Sequence, residues 1–220
     1  MIVLEGLDGS GTTTQIGRLA RRIERLAQRA EQAQPVLITH EPSDGPVGLQ
    51  IRMALEHRIH IDAATLAAFF AADRMDHLYH DDGDKGIVAH LRDGTHVITD
   101  RYYLSSFAYQ GMNLDWDWLW HLHAHCIRPD VTFFLDVPVE VCLRRIATGR
   151  GEHFELFENE KALTKVRQSY LGAIERLRAA GEMIEIINGD ASPEQVEEAI
   201  WEYYAISIIC AHNSSARSIP

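Results

Sequence analysis

Between Gly6 and Thr14 the chain carries the residue types that cradle a phosphate. The run Gly6-Leu7-Asp8-Gly9-Ser10-Gly11-Thr12-Thr13-Thr14 fits G-x-x-x-x-G-K-[ST] everywhere except Thr12, where a lysine is expected. Glycines let backbone N–H groups close on an anion with no Cβ in the way. The helix launched from the loop points its positive dipole end at the same charge. Thr13 supplies the hydroxyl expected on Mg²⁺. The missing lysine is the cation that would follow the β- and γ-phosphates.

Three further groups are spaced for related chemistry. Asp100-Arg101-Tyr102 follows an apolar run and offers a carboxylate for a Mg²⁺-bound water network and a cation for a second phosphate. Its plainer reading is a helix cap beside a surface arginine. Phe70 and Arg74 stand at i,i+4 and share a helix face, a ring to stack on a base and a guanidinium to bond its edge. Here the alternative is a core phenylalanine and a surface ion pair. Arg144, Arg145 and Arg150 form a glycine-flanked basic stretch, fit either for a mobile cationic lid or for a solvated helix face. His121, His123, His125 and Cys126 have the composition of a metal site, yet only His121 and His125 share a helical face and no carboxylate is spaced as a third ligand. The alternating Trp116, Trp118 and Trp120 need no more than a partly buried helix start. No Ser or Cys nucleophile is paired with His and Asp in a recognisable elbow.

The elements that must position these residues follow from periodicity. Met1–Glu5, Val36–Thr39, Val97–Asp100, Thr132–Asp136 and Met183–Ile187 read as short buried strands. Ile16, Leu19, Ala20, Ile23, Leu26 and Ala27 recur at helical spacing after the phosphate loop, and helical patterns fill 47–55 and about 63–91, with a break near Gly83 and Gly86. Helices between all strands predict an α/β fold, a five-stranded parallel sheet covered on both faces. In such sheets ligands bind at the carboxyl ends of the strands. That puts residues 5–13, 40–45, Asp100-Arg101 and Asp136 along one rim. Residues 1–204 are expected to form a single domain, with 205–220 an irregular C-terminal tail.

Bulk properties exclude other classes. A chain of 220 residues, 46% hydrophobic, can bury one real core. Its net charge of −11 argues against nucleic acid or a membrane surface as partner. No apolar run approaches a membrane span, and no charged leader precedes the first strand. Cys126, Cys142 and Cys210 are an odd number without motif spacing, as expected of reduced thiols in the cytoplasm.

In order along the chain, these segments resemble thymidylate kinases, which phosphorylate dTMP with ATP. Leu4-Glu5-Gly6-Leu7-Asp8-Gly9-Ser10-Gly11 is similar to that family's phosphate loop, and Glu41-Pro42 with Pro46-Val47-Gly48 to its Glu-Pro turn. Phe70-Ala71-Ala72-Asp73-Arg74 resembles its base-reading helix. Asp100-Arg101-Tyr102 through Ser105-Ser106-Phe107-Ala108-Tyr109-Gln110-Gly111 resembles its most characteristic block, and Arg128-Pro129-Asp130 into Phe134-Leu135-Asp136-Val137-Pro138 the run into its lid. The resemblance implies a three-layer α/β/α P-loop NTPase fold with a mobile lid at about 145–158. It implies ATP phosphates on Gly6–Thr14 and Mg²⁺ on Thr13 and Asp100. It further implies dTMP contacts from Asp8, Glu41, Phe70, Arg74, Arg101, Ser106, Tyr109 and Gln110, with Phe70 stacked on thymine, Arg74 on its edge and Arg101 on its phosphate. Asp8, Arg101, Arg145 and Arg150 would be catalytic, the last two as lid cations. A homodimer is implied as well. Two alternatives stay open: another pyrimidine deoxynucleotide as acceptor, or a nucleotide-binding protein weakened in catalysis at Thr12.

Overall fold

Strand β1, Ile2–Gly6, is buried throughout, which is why it reads as an apolar run without alternation. In the computed structural model, which describes residues 1–29, 35–81, 83, 85–150 and 160–215 (149–150 and 207–215 in backbone only), it is the centre of the sheet. The other strands are β2 (Val36–His40), β3 (His96–Asp100), β4 (Val131–Asp136) and β5 (Ile184–Asn188), in the order β2-β3-β1-β4-β5. Every pair is parallel. Strands β3 and β4 therefore flank β1 on opposite sides, and the loop after β1 opens where the strand order diverges, the place where such sheets bind ligands.

Helices cover both faces, giving the three α/β/α layers. Helices α1 (Thr12–Arg29) and α9 (Pro193–Ser215) lie on one side. Ile2, Leu4, Ile98, Phe133 and Leu135 pack there against Ile16, Leu19 and Ile23 of α1 and Val196 and Ile200 of α9. The two helices are also tied by Arg18 to Glu194 (2.6 Å) and Glu197 (2.8 Å) and by Arg22 to Glu198 (2.6 Å). Much of the polar face of α1 is therefore a seam. Helices α2 (Pro46–Leu55), α3 (Ala63–Tyr79), α4 (Ile87–Arg92), α5 (Tyr103–Tyr109), α6 (Trp116–Leu122), α7 (Val139–Arg150) and α8 (Glu160–Ala179) complete the chain order. Val3, Val97 and Phe134 meet Leu78, Ile87, Phe107, Val166 and Tyr170 on the second face. Successive residues of β1 thus feed opposite cores, Ile2 and Leu4 one and Val3 the other, as the pleat requires.

One expectation holds and another changes. The break anticipated near Gly83 and Gly86 separates α3 from α4, with Gly86 as the N-cap of the latter. The tail expected to be irregular from residue 205 is helical to Ser215, and 216–220 lie outside the described residues. The amphipathic period fades there, but 205–215 contains neither glycine nor proline. Without a breaker, each further residue adds a hydrogen bond to a helix already nucleated. The expected lid at about 145–158 falls partly on α7; its remainder from 151 lies outside the described residues.

Candidate active site

The phosphate loop is a turn between β1 and α1, closed by the Ser10 N–H donating to the Leu7 carbonyl at 2.9 Å. Gly9 has φ +79°, and a Cβ there would sit 2.6 Å from the Cys142 carbonyl oxygen, so the position admits only glycine. Gly11, at φ +96°, turns the chain into α1. The first-turn N–H groups of Thr12, Thr13 and Thr14 have no intrahelical acceptor and are the donors such a loop offers an anion. Thr13 Oγ1 donates to Asp100 Oδ2 at 2.8 Å, which brings the hydroxyl and the carboxylate expected on Mg²⁺ to one point. Two protein oxygens suit a small hard cation that otherwise keeps waters and substrate phosphate oxygens.

Arg101 occupies the left-handed region at φ +70°, costly for any residue with a Cβ. Its N–H donates to the Leu4 carbonyl at 2.9 Å, and its guanidinium reaches Asp8 Oδ1 (2.6 Å), Tyr170 Oη (3.0 Å) and Ser105 Oγ (3.2 Å). Glu5 underpins this turn. Fully buried, it accepts from the Tyr102 N–H (2.8 Å), the Ser105 N–H (3.1 Å) and the Ser105 (2.6 Å) and Tyr170 (3.0 Å) hydroxyls. Burial raises its pKa, while the Arg101 charge and these donors pull it back. A carboxylate inside an otherwise apolar strand is affordable only with such partners, and that contrast was its signal in the sequence. Tyr170, by contrast, was one of many apolar helix positions and could not have been singled out.

Across the cavity, Arg74 is 1% exposed, so it is not a surface arginine. Its Nε and Nη2 lie 2.7 Å and 2.6 Å from Glu41 Oε2, and Nη1 donates to Ser106 Oγ at 3.3 Å and His123 Nδ1 at 3.2 Å. The turn that carries Glu41 is held by Ser43, whose N–H and hydroxyl both donate to the buried Asp73 (2.7 and 2.6 Å), and by Arg52 on the Ser43 carbonyl (2.6 Å). Asp73 and Arg74 thus anchor the acceptor side from one turn of α3.

These groups surround a single cavity of about 590 Å³. Among the expected site residues, Leu7, Asp8, Gly9, Gly11, Thr12, Thr13 and Thr14 line its one end, and Glu41, Phe70, Arg74, Ser106, Tyr109 and Gln110 the other, with Asp100 and Arg101 between. Gly6 and Ser10 stand behind the lining; Ser10 is buried. His40, from the expected rim, lines it too, as does Arg52, which was not expected. Arg145 borders the cavity but spends its donors on the carbonyls of Ser10 (3.2 Å), Gly9 (3.4 Å) and Gly189 (3.4 Å), tying the phosphate loop to the β5–α9 turn. The Arg150 side chain lies outside the described residues. Asp136 is engaged by Arg167 at 2.7 Å through both oxygens and faces away from this chemistry. No group of three or more His, Cys, Asp or Glu among the described residues is placed to hold a metal ion. His123 turns instead to Arg74.

A phosphate loop, a cation halfway along the cavity and a buried guanidinium 60 residues beyond the loop are what a kinase of a small phosphorylated acceptor would need. Comparison with known proteins points the same way. The family model described as thymidylate kinase matches residues 4–200. A protein of Pyrococcus abyssi named "Probable thymidylate kinase" is 38% identical, over 90% of this chain and 92% of its own. The "Thymidylate kinase" of Neisseria gonorrhoeae is 35% identical, over 90% and 93%. The chain belongs to the thymidylate kinase family.

Proposed function

We propose that the chain transfers the γ-phosphoryl group of ATP to dTMP, giving ADP and dTDP. The observation that carries this reading is one cavity with phosphate-binding backbone at one end, Arg74 at the other and Arg101 between them. The bond from the γ-phosphorus to the β,γ-bridging oxygen breaks, and a dTMP phosphate oxygen takes its place. No side chain stands as a covalent carrier, so catalysis is positioning and charge neutralisation. Mg²⁺, when bound, supplies part of that neutralisation, and the Thr13 hydroxyl and Asp100 carboxylate are the oxygens to hold it. Arg101 would grip the acceptor phosphate, with Asp8 orienting the guanidinium. Phe70 would stack on the base, Arg74 donate to its edge, and Ser106, Tyr109 and Gln110 close the pocket around base and sugar. Arg150, with Arg145 beside the loop, would bring cationic charge to the donor phosphates from a lid over about 145–158. Residues 1–204 are proposed as one kinase domain, working as a homodimer in the cytoplasm, where the free Cys126 and Cys142 thiols stay reduced. No helix among the described residues is long and apolar enough to cross a membrane.

An assay of ADP release over a panel of nucleoside monophosphates tests the proposal. dTMP should be turned over with the highest kcat/KM. Binding of ATP with no turnover of any acceptor would overturn it, and a better rate with another pyrimidine deoxynucleotide would reassign the acceptor.

Thr12 makes a second expectation. It lines the donor end, and Arg145, which borders the same cavity, is committed to the carbonyl oxygens of the loop. A charge-assisted phosphate contact contributes about 1.5–3 kcal/mol. Thr12→Lys should therefore raise kcat by roughly tenfold or more while leaving the KM for dTMP unchanged. Steady-state kinetics with each substrate varied would show it; a shift in dTMP KM instead would mean that position 12 faces the acceptor.

A further inference from the structure

We infer that His123 is a positioning residue for Arg74, holding its guanidinium at the rotation that lets it distinguish a 4-oxo from a 4-amino pyrimidine. The inference rests on the reading that Arg74 bonds the base edge. Arginine has only donors, so the 3.2 Å contact from Arg74 Nη1 requires an acceptor lone pair on His123 Nδ1. The imidazole is then neutral, with its proton on Nε2, a buried atom with no hydrogen-bond partner among the described residues. Burial and the Arg74 charge push the His123 pKa down to about 2, so the lone pair persists at any working pH.

The placement of the ring is built in. His123 is the C-cap of α6, and its ring stacks near Tyr103 at 6.4 Å and meets Phe107 edge-on at 5.7 Å. Glu41 holds Nε and Nη2 from one side, and Ser106 and His123 hold Nη1 from the other. Nη2 keeps donor capacity for a ligand. A guanidinium clamped in this way offers N–H to a 4-oxo group and opposes the N–H₂ of a 4-amino group. Were one clamp removed, it could rotate away from the mismatched donor, and discrimination would fall. A histidine that only filled space would need neither this tautomer nor this contact.

The test compares His123→Leu, which removes the acceptor, with His123→Asn, whose carbonyl oxygen can replace Nδ1. His123→Leu should raise the dTMP KM about tenfold and lower the dTMP-to-dCMP ratio of kcat/KM by about tenfold, with ATP KM unchanged. His123→Asn should recover most of both. An unchanged ratio in His123→Leu, or no recovery in His123→Asn, would overturn the inference even if stability fell. Arg74→Lys is measured beside them. If it too leaves the ratio unchanged, the base-edge reading fails; if it alone lowers the ratio, only the role of His123 fails. Should His123→Leu not fold, ¹⁵N NMR of the wild-type imidazole decides. A neutral Nε2–H tautomer supports the inference, and an Nδ1–H tautomer excludes it.

Discussion

Replacing Arg101 by leucine should lower kcat/KM for dTMP by roughly 10³-fold, with a much smaller change in the KM for ATP. The side chain is the cation between the two ends of the cavity, and its loss also releases Asp8, its 2.6 Å partner. An interaction that tightens as charge moves between phosphates is lost from kcat as well as from KM. The backbone allows a control, because Arg101 sits at φ +70°. Glycine pays nothing there, whereas a residue with a Cβ pays about 1–2 kcal/mol. Arg101→Gly should therefore be as inactive as Arg101→Leu but more stable than it in urea. A loss of less than tenfold in Arg101→Leu, or a loss confined to ATP KM, would remove Arg101 from the acceptor phosphate.

The second large effect is on stability. Arg74→Leu should destabilise the fold by about 3–5 kcal/mol, because Glu41, 5% exposed, would keep a buried charge without its partner. For a chain of this size that is a fall of roughly 10 °C in Tm. The attraction within a buried pair is largely offset by its desolvation, so the double variant Arg74→Leu/Glu41→Leu should regain much of the loss while staying inactive toward dTMP. Thermal melts of the three proteins would decide. A single variant within about 1 kcal/mol of wild type would mean that Glu41 reaches water or another partner once alone. The pair thus adds little net stability but yields a rigid guanidinium, which is the property a base reader needs.

Much of this was legible beforehand. The Gly6–Thr13 spacing specifies a phosphate loop because the glycine and hydroxyl requirements are local to a few peptide units. The strands were legible because residues buried on both faces must all be apolar, and the parallel sheet followed from helices between them. Arg74 shows the limit. Its spacing from Phe70 named a shared face, but an exposed ion pair and a buried clamp have the same local sequence. His123 shows it more sharply: its neighbours His121, His125 and Cys126 suggested a metal, and nothing local pointed to α3.

By itself, then, the sequence determined the loop, the sheet and the residue types along its rim, since these depend on short-range geometry and on which faces are buried. Only the tertiary structure decided that Glu5 and Tyr170 support Arg101, that Arg145 grips the loop, and that Glu41 and His123 hold Arg74. Those contacts join residues 33 to 165 positions apart. Partners so distant are chosen by how helices pack on the sheet, which no local pattern encodes.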